Sequence, residues 1–248
     1  MLGLDPWTLV AAAGIVVLGG TVSGVTGFGF GLVIIPILLT IFPPATVVAV
    51  NRVLGFVTGV VILGQDHRHV ERGVVARIIP WATIGLVGGV AVLTRVDATV
   101  IRLLAGAVVI VFAVLATGSR PIPGIGSRYA PAVAGAASGL LGTSIGMSGP
   151  PVVLLLTSRT MSPLVFRATI TGYFVVLDVV AITLLIRAGA FGWEEARIAA
   201  ALLPFALVGR SMGRLLGTRV ERERFRRLTL GLLIITGVSA VATALLSL

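Results

Sequence analysis

Ser23, Thr26, Gly27, Gly29 and Gly31 lie together in the first half of the chain, and Thr143, Ser144, Gly146, Ser148 and Gly149 lie together in the second. Residues of these types supply no general base and no metal-ligand set. Their chemistry is binding, because short hydroxyls and bared backbone N–H groups both donate hydrogen bonds to oxyanion oxygens. The two clusters are related: Ser23, Gly24, Gly27, Gly31 and Pro36 recur as Ser138, Gly139, Gly142, Gly146 and Pro151 at one constant displacement. A second block, Pro80, Gly85, Gly89, Thr94, Arg95 and Val96, recurs in the same order as Pro204, Gly209, Gly213, Thr218, Arg219 and Val220. Order and context kept over two blocks read as an internal duplication.

Charged residues inside apolar runs also need a reason, since each costs a few kcal/mol near the centre of a bilayer unless it faces protein or water. Arg52 is placed to neutralise an anion that Asn51 beside it would hydrogen-bond; the alternative is an arginine that snorkels to the membrane interface. Asp178, flanked by Val175, Val176, Leu177, Val179 and Val180, is the one acid deep in an apolar run. It reads as a coupling carboxylate, or equally as the partner of an arginine in a structural ion pair. Arg167, which precedes Thr169 and Thr171, ranks below Arg52, and Arg210 ranks lower still.

The elements that must position these residues follow from composition. With 57% hydrophobic residues, 11% charged residues and a mean hydropathy of +1.12, the chain lies far outside soluble globular proteins and reads as an all-α polytopic membrane protein. The net charge of +10 is carried by arginines set in short loops between apolar runs, which points to anionic lipid headgroups rather than nucleic acid. The absence of cysteine excludes disulfides and thiolate chemistry, and His67 and His69, close together in a loop, make a poor metal site. No metal and no cofactor is expected.

Apolar runs cover 7–24, 28–42, 46–64, 74–93 and 100–117 in the first half, and 131–143, 147–158, 163–186, 198–216 and 228–246 in the second. The last three of each half are of spanning length, about 20 residues. The first two of each half are shorter and are expected either to cross as thin, tilted helices or to dip in and return. The first run meets the glycine motif with no basic region before it, so it is expected to stay uncleaved. The division is thus 1–117 as a first transmembrane repeat, 118–129 as a Pro, Gly and Ser containing linker, and 130–248 as a second repeat, with about 8 to 10 membrane segments in all. Placing the loop of Arg219, Arg222, Arg224, Arg226 and Arg227 in the cytoplasm, with five crossings per half, gives the clearest arginine bias. An odd number per half inverts the second repeat relative to the first, and interrupted, inverted repeats are a transporter signature. The glycines break helices inside the bilayer, and the half-helices starting near Phe28 and Met147 offer free N–H groups and positive dipole ends to an anion. The competing reading is that the small residues only let helices pack closely.

The segment from Ser23 to Pro36, followed by Pro43, Pro44 and then Asn51, resembles the first-half signature of the sulfite exporter TauE/SafE family of membrane permeases. The stretch from Gly142 to Pro151 is similar to the Gly-Pro-Pro variant of the family's second glycine motif, and the resemblance covers essentially the whole chain. It implies transport of small anions, often sulfur-containing oxyanions or organosulfonates such as sulfite or sulfoacetate, across a bacterial inner membrane and driven by an ion gradient. The match of Asn51 to the motif favours a functional role for it.

The expected protein is therefore a permease with a small-anion substrate, a proton or sodium as coupling ion, the lipid bilayer as its surroundings and room for a homo-oligomer. Alternatives are an anion channel, or a permease for a carboxylate or another small solute. An enzyme is not expected, since no apolar run contains a histidine and Asp178 has no evident acidic companion. The chain also has no P-loop. Gly31→Val and Gly146→Val should each abolish transport while membrane insertion is largely kept; normal flux by both variants in a vesicle assay would remove the glycine breaks from the site.

Overall fold

A computed structural model of the chain describes residues 5–117 and 124–217. Among the described residues the secondary structure is helical, in nine α-helices: α1 (Pro6–Thr26), α2 (Phe30–Leu38), α3 (Pro44–Asp66), α4 (Arg72–Arg95), α5 (Ala98–Thr117), α6 (Ala130–Ser144), α7 (Gly149–Thr157), α8 (Pro163–Arg187) and α9 (Trp193–Gly217). Local chemistry sets many of the boundaries. Proline opens α1, α3 and α8, where its missing N–H costs nothing. Ser162 caps α8 by accepting from the Val165 N–H at 3.3 Å. Asp97 does the same for α5, accepting from the Thr99 N–H at 2.7 Å, and that bond holds its carboxyl below the usual carboxylate range. The arginine-rich loop over 219–227 and the run over 228–246 lie outside the described residues.

Six helices, α1, α3, α4, α5, α8 and α9, are long and apolar enough to cross a membrane, and the protein is a multi-pass membrane protein. This corrects the expectation of a short first segment: α1 continues to Thr26 and reaches 21 residues. Gly19, Gly20 and Gly24 stay helical within it, and the chain breaks only at Gly27. In contrast, α2 and α7 have 9 residues each. Each rises about 14 Å and cannot cross a core of about 30 Å alone.

Glycine faces draw the helices together. α1 packs along α9 and α4 along α6, each pair in parallel, with backbone nearly touching backbone. A Cβ at Gly24 would overlap the Arg210 carbonyl, one at Gly213 the Thr21 carbonyl, one at Gly89 the Leu140 carbonyl and one at Gly139 the Ala82 carbonyl. Several glycines of the repeated blocks, Gly24, Gly85, Gly89, Gly139, Gly209 and Gly213, thus serve close packing of the small-xxx-small kind. Thr143 adds an interhelical bond, its Oγ1 donating to the Leu86 carbonyl at 2.7 Å. Between these pairs, α3 and α8 cross the centre antiparallel, with Gly55 against Asp178 and Gly59 against Val175.

Contacts at the helix ends orient the rest. The Arg102 Nε donates to the Leu39 carbonyl at 3.0 Å and the Thr46 Oγ1 to a Glu195 oxygen at 3.1 Å, so the starts of α3, α5 and α9 share one end of the molecule with the end of α2. At the other end the Glu71 N–H donates to the Thr169 Oγ1 at 3.0 Å. It follows that α1, α3 and α9 run one way while α6, α8 and α4 run the other.

Gly139→Ala should lower the melting temperature in detergent by several degrees, since an overpacked backbone contact costs about 1–3 kcal/mol. Gly14→Ala is the control because a Cβ there meets nothing within 4 Å. Equal melting of the two variants would show that the glycine face does not set the α4–α6 approach.

Candidate functional site

The first break is built by Thr26, Gly27, Phe28 and Gly29. Thr26 Oγ1 donates to the Val22 carbonyl at 2.9 Å and accepts from the Phe28 N–H at 3.2 Å, closing the turn. Gly27 and Gly29 sit at φ +82° and +88°, a left-handed conformation that a side chain would strain. α2 then begins at Phe30, and the N–H groups of Phe30, Gly31 and Leu32 in its first turn have no partner inside their own helix.

The second break is similar in outline but not in donors. The N–H groups of Ile145 and Met147 both return to the Leu141 carbonyl, at 3.1 and 3.0 Å, around Gly146 at φ +81°. Beyond it, α7 opens with Gly149, Pro150 and Pro151, and the two prolines have no N–H to offer. Both half-helices also start two residues later than the sequence suggested, at Phe30 and Gly149, because the left-handed glycines extend the turns.

From α3, Asn51 and Arg52 both reach across to the second break. The Asn51 Nδ2 donates to the Gly146 carbonyl at 3.0 Å. The Arg52 Nη2 donates to the Ser148 Oγ at 2.8 Å and to the Gly142 carbonyl, while its Nη1 meets the Asp178 Oδ1 of α8 at 2.7 Å. Arg52–Asp178 is the one ion pair within salt-bridge distance among the described residues, and both side chains are buried. Ser138 supports the same corner: its hydroxyl donates to the Ser148 carbonyl at 2.6 Å and lies 2.7 Å from the Tyr173 hydroxyl. Arg210 enters from α9, its Nη1 donating to the Thr58 Oγ1 at 2.5 Å.

These groups surround a cavity of about 70 Å³ between the two breaks. A water needs roughly 10–15 Å³ on this measure, so the space takes several waters or one small oxyanion. Of the residues singled out in the sequence, Ser23, Gly27, Gly29, Gly31, Asn51, Arg52, Gly146, Ser148, Gly149 and Asp178 line it. Thr26, Thr143 and Ser144 do not. The Thr26 hydroxyl is used in its turn, that of Thr143 on α4, and that of Ser144 on the Leu140 carbonyl at 2.6 Å. Arg210, ranked behind Arg52 and Arg167, faces the cavity, as do Thr171 and Phe174, which the sequence reading did not select. A charge isolated in an apolar run was the available signal for Arg210. Arg167 instead lays its aliphatic stem against Gly27.

Two features set the electrostatics. Arg52 and Arg210 against Asp178 leave one net positive charge in a buried space, where each ion carries a desolvation cost of several kcal/mol. In addition, the four buried side-chain atoms without a protein partner among the described residues, Asn51 Oδ1, Arg52 Nε, Thr171 Oγ1 and Arg210 Nε, belong to four residues that all line this cavity. No cluster able to hold a metal ion occurs among the described residues.

Comparison with known proteins adds an independent line. The profile of the family described as sulfite exporter TauE/SafE matches residues 12–240. The chain is 28% identical over 231 residues to a Cupriavidus necator protein described as "Probable sulfite/organosulfonate exporter TauE", covering 89% of each chain. No solved structure matches the chain.

Removing one partner of a buried ion pair strands the other, at about 3–5 kcal/mol, whereas replacing both with apolar residues is often nearly neutral. The double variant Arg52→Leu/Asp178→Leu should therefore melt closer to the unmodified protein than either single variant does. Additive losses in detergent melting curves would show that the pair is not coupled.

Proposed function

The chain belongs to the sulfite exporter TauE/SafE family, whose members are membrane transporters, and from that premise we propose that it moves a small sulfur-containing anion, a sulfur oxyanion or organosulfonate, through the cavity between its two glycine breaks. The observation that carries this reading is the convergence of unpartnered, buried polar groups on a space with one net positive charge. Desolvating such groups is costly unless something binds them, and an oxyanion supplies the acceptors that the Arg52 and Arg210 Nε–H groups lack among the described residues. The first-turn N–H groups of α2 add donors and a positive dipole end without adding a charge to desolvate. The sulfur in the proposal comes from the family and from the Cupriavidus necator relative.

In this reading the two halves are inverted repeats. The opposite running directions of α1 and α6, of α3 and α8, and of α4 and α9 support it, as does the crosswise pairing of α1 with α9 and α4 with α6. Rocking of one repeat against the other around a fixed site then gives alternating access. Asp178 is the proposed coupling group: an anion that draws on Arg52 weakens its hold on Asp178, and the carboxylate so released takes up a proton or sodium ion. Transport is thereby tied to an ion gradient.

A thermal-shift screen in detergent tests the substrate class with sulfite, thiosulfate, sulfate, sulfoacetate, taurine and simple carboxylates. A ligand at 100 times its dissociation constant adds about 2.7 kcal/mol. Stabilisation by sulfur anions alone, lost in Arg210→Gln, is the expected result. A shift with carboxylates alone would reassign the substrate, and no shift with any anion would overturn the proposal.

A further inference from the structure

The groups around the cavity differ in kind. Arg52 and Arg210 present N–H donors, and the first turn of α2 presents more, but Asn51 Oδ1 is an acceptor. Its orientation is fixed by its neighbour: the Asn51 Nδ2 donates to the Gly146 carbonyl at 3.0 Å, so turning the amide over would set two oxygens against each other. Asn51 is 7% exposed, and its Oδ1 has no donor among the described residues although α2 passes close by at Gly31. A fully deprotonated oxyanion would place its own lone pairs against this oxygen.

We infer that the substrate is a monoanion that carries its own O–H or N–H donor, and that Asn51 is the residue that selects it. The inference rests on the anion-binding reading of the same cavity and sharpens it. Among the groups that line the cavity, Arg52, Arg210 and Asp178 leave a single net positive charge, with Arg167 outside the lining against Gly27, and this matches one negative charge better than two. The oxyanion end takes the Arg52 and Arg210 Nε–H groups and the N–H groups of α2, and the donor end takes Asn51 Oδ1. A buried acceptor left unpaired disfavours an analogue without the donor far more than a missing contact in water would. Two kinds of molecule share this chemistry: a protonated inorganic sulfur oxyanion, in which the donor is the acid O–H, and a short sulfonate with a hydroxyl or amino group on its carbon chain.

Isothermal titration of the purified full-length protein separates them. In one arm, 2-hydroxyethanesulfonate is compared with ethanesulfonate, which has the same charge and no hydroxyl. In the other, sulfite is titrated at pH values on both sides of its hydrogensulfite ionisation, with methanesulfonate, a donor-free monoanion throughout, as the reference. The donor-bearing form should bind about tenfold more tightly than its donor-free counterpart in at least one arm. That ratio should fall towards one in Asn51→Leu, whatever the variant does to absolute affinity. A preference in the first arm alone identifies an organic sulfonate, and one in the second alone identifies the hydrogen oxyanion. Anions that bind with no donor preference in either arm overturn the selection by Asn51 while leaving anion transport standing, even if Asn51→Leu fails to fold. Failure of every anion to bind removes both.

Discussion

The guanidinium of Arg52 is the constraint on which the interior of this protein depends. One side chain from α3 bonds the carbonyl of Gly142 at the end of α6, the hydroxyl of Ser148 before α7 and the carboxylate of Asp178 on α8. In water such contacts are cheap and exchangeable, but inside a membrane protein each replaces a solvation shell that is no longer there. A helix interrupted at membrane depth exposes carbonyls that must find donors, and here the donor is a side chain from another helix. That same reach leaves the Nε–H of Arg52 without a partner among the described residues, and Arg52 lines the cavity, so the group that holds the second break together also helps define the space beside it.

Glycine works in two distinct ways around that space. On the α1–α9 and α4–α6 faces it removes a Cβ so that two backbones approach, in a setting where water does not drive helices together. At Gly27, Gly29 and Gly146 it permits a left-handed turn that ends one helix and aims the next at the cavity. Close packing holds the outer pairs while the turns shape the inner surface. Both uses occur within a few residues of one another along α1, which accounts for the density of glycine in these motifs.

The composition made the helical membrane class legible, and nine of the ten apolar runs fall on described helices, because burial in lipid leaves long unbroken apolar stretches that have no other explanation. The small-residue motifs marked the two breaks, and the isolated charges at Arg52 and Asp178 marked the cavity. What could not be read was where each hydroxyl points. Thr26, Thr143 and Ser144 look like Ser148 in sequence, yet each is committed to a carbonyl, as is Ser23 although it lines the cavity, a matter of helix phase and neighbouring backbone. Arg210 was undervalued because its role depends on α9 lying beside α1 and α3, a tertiary fact. The prolines at 150 and 151 were visible as residues, but their loss of N–H donors matters only once α7 is known to begin there.

The crosswise pairing of α1 with α9 and of α4 with α6 has a consequence for how the protein is made. The chain emerges from its amino terminus, so α1 enters the membrane long before the glycine face it packs against has been synthesised. Until α9 arrives, the groove at Gly20 and Gly24 has no backbone to receive and must be filled by lipid or by a temporary neighbour. Both faces join a helix within residues 5–117 to one within residues 124–217, so neither closes from one of these stretches alone. The first of these glycine-faced pairs able to close is α4 with α6, formed across the middle of the chain, and the cavity takes shape only when the last of the described helices is laid in place.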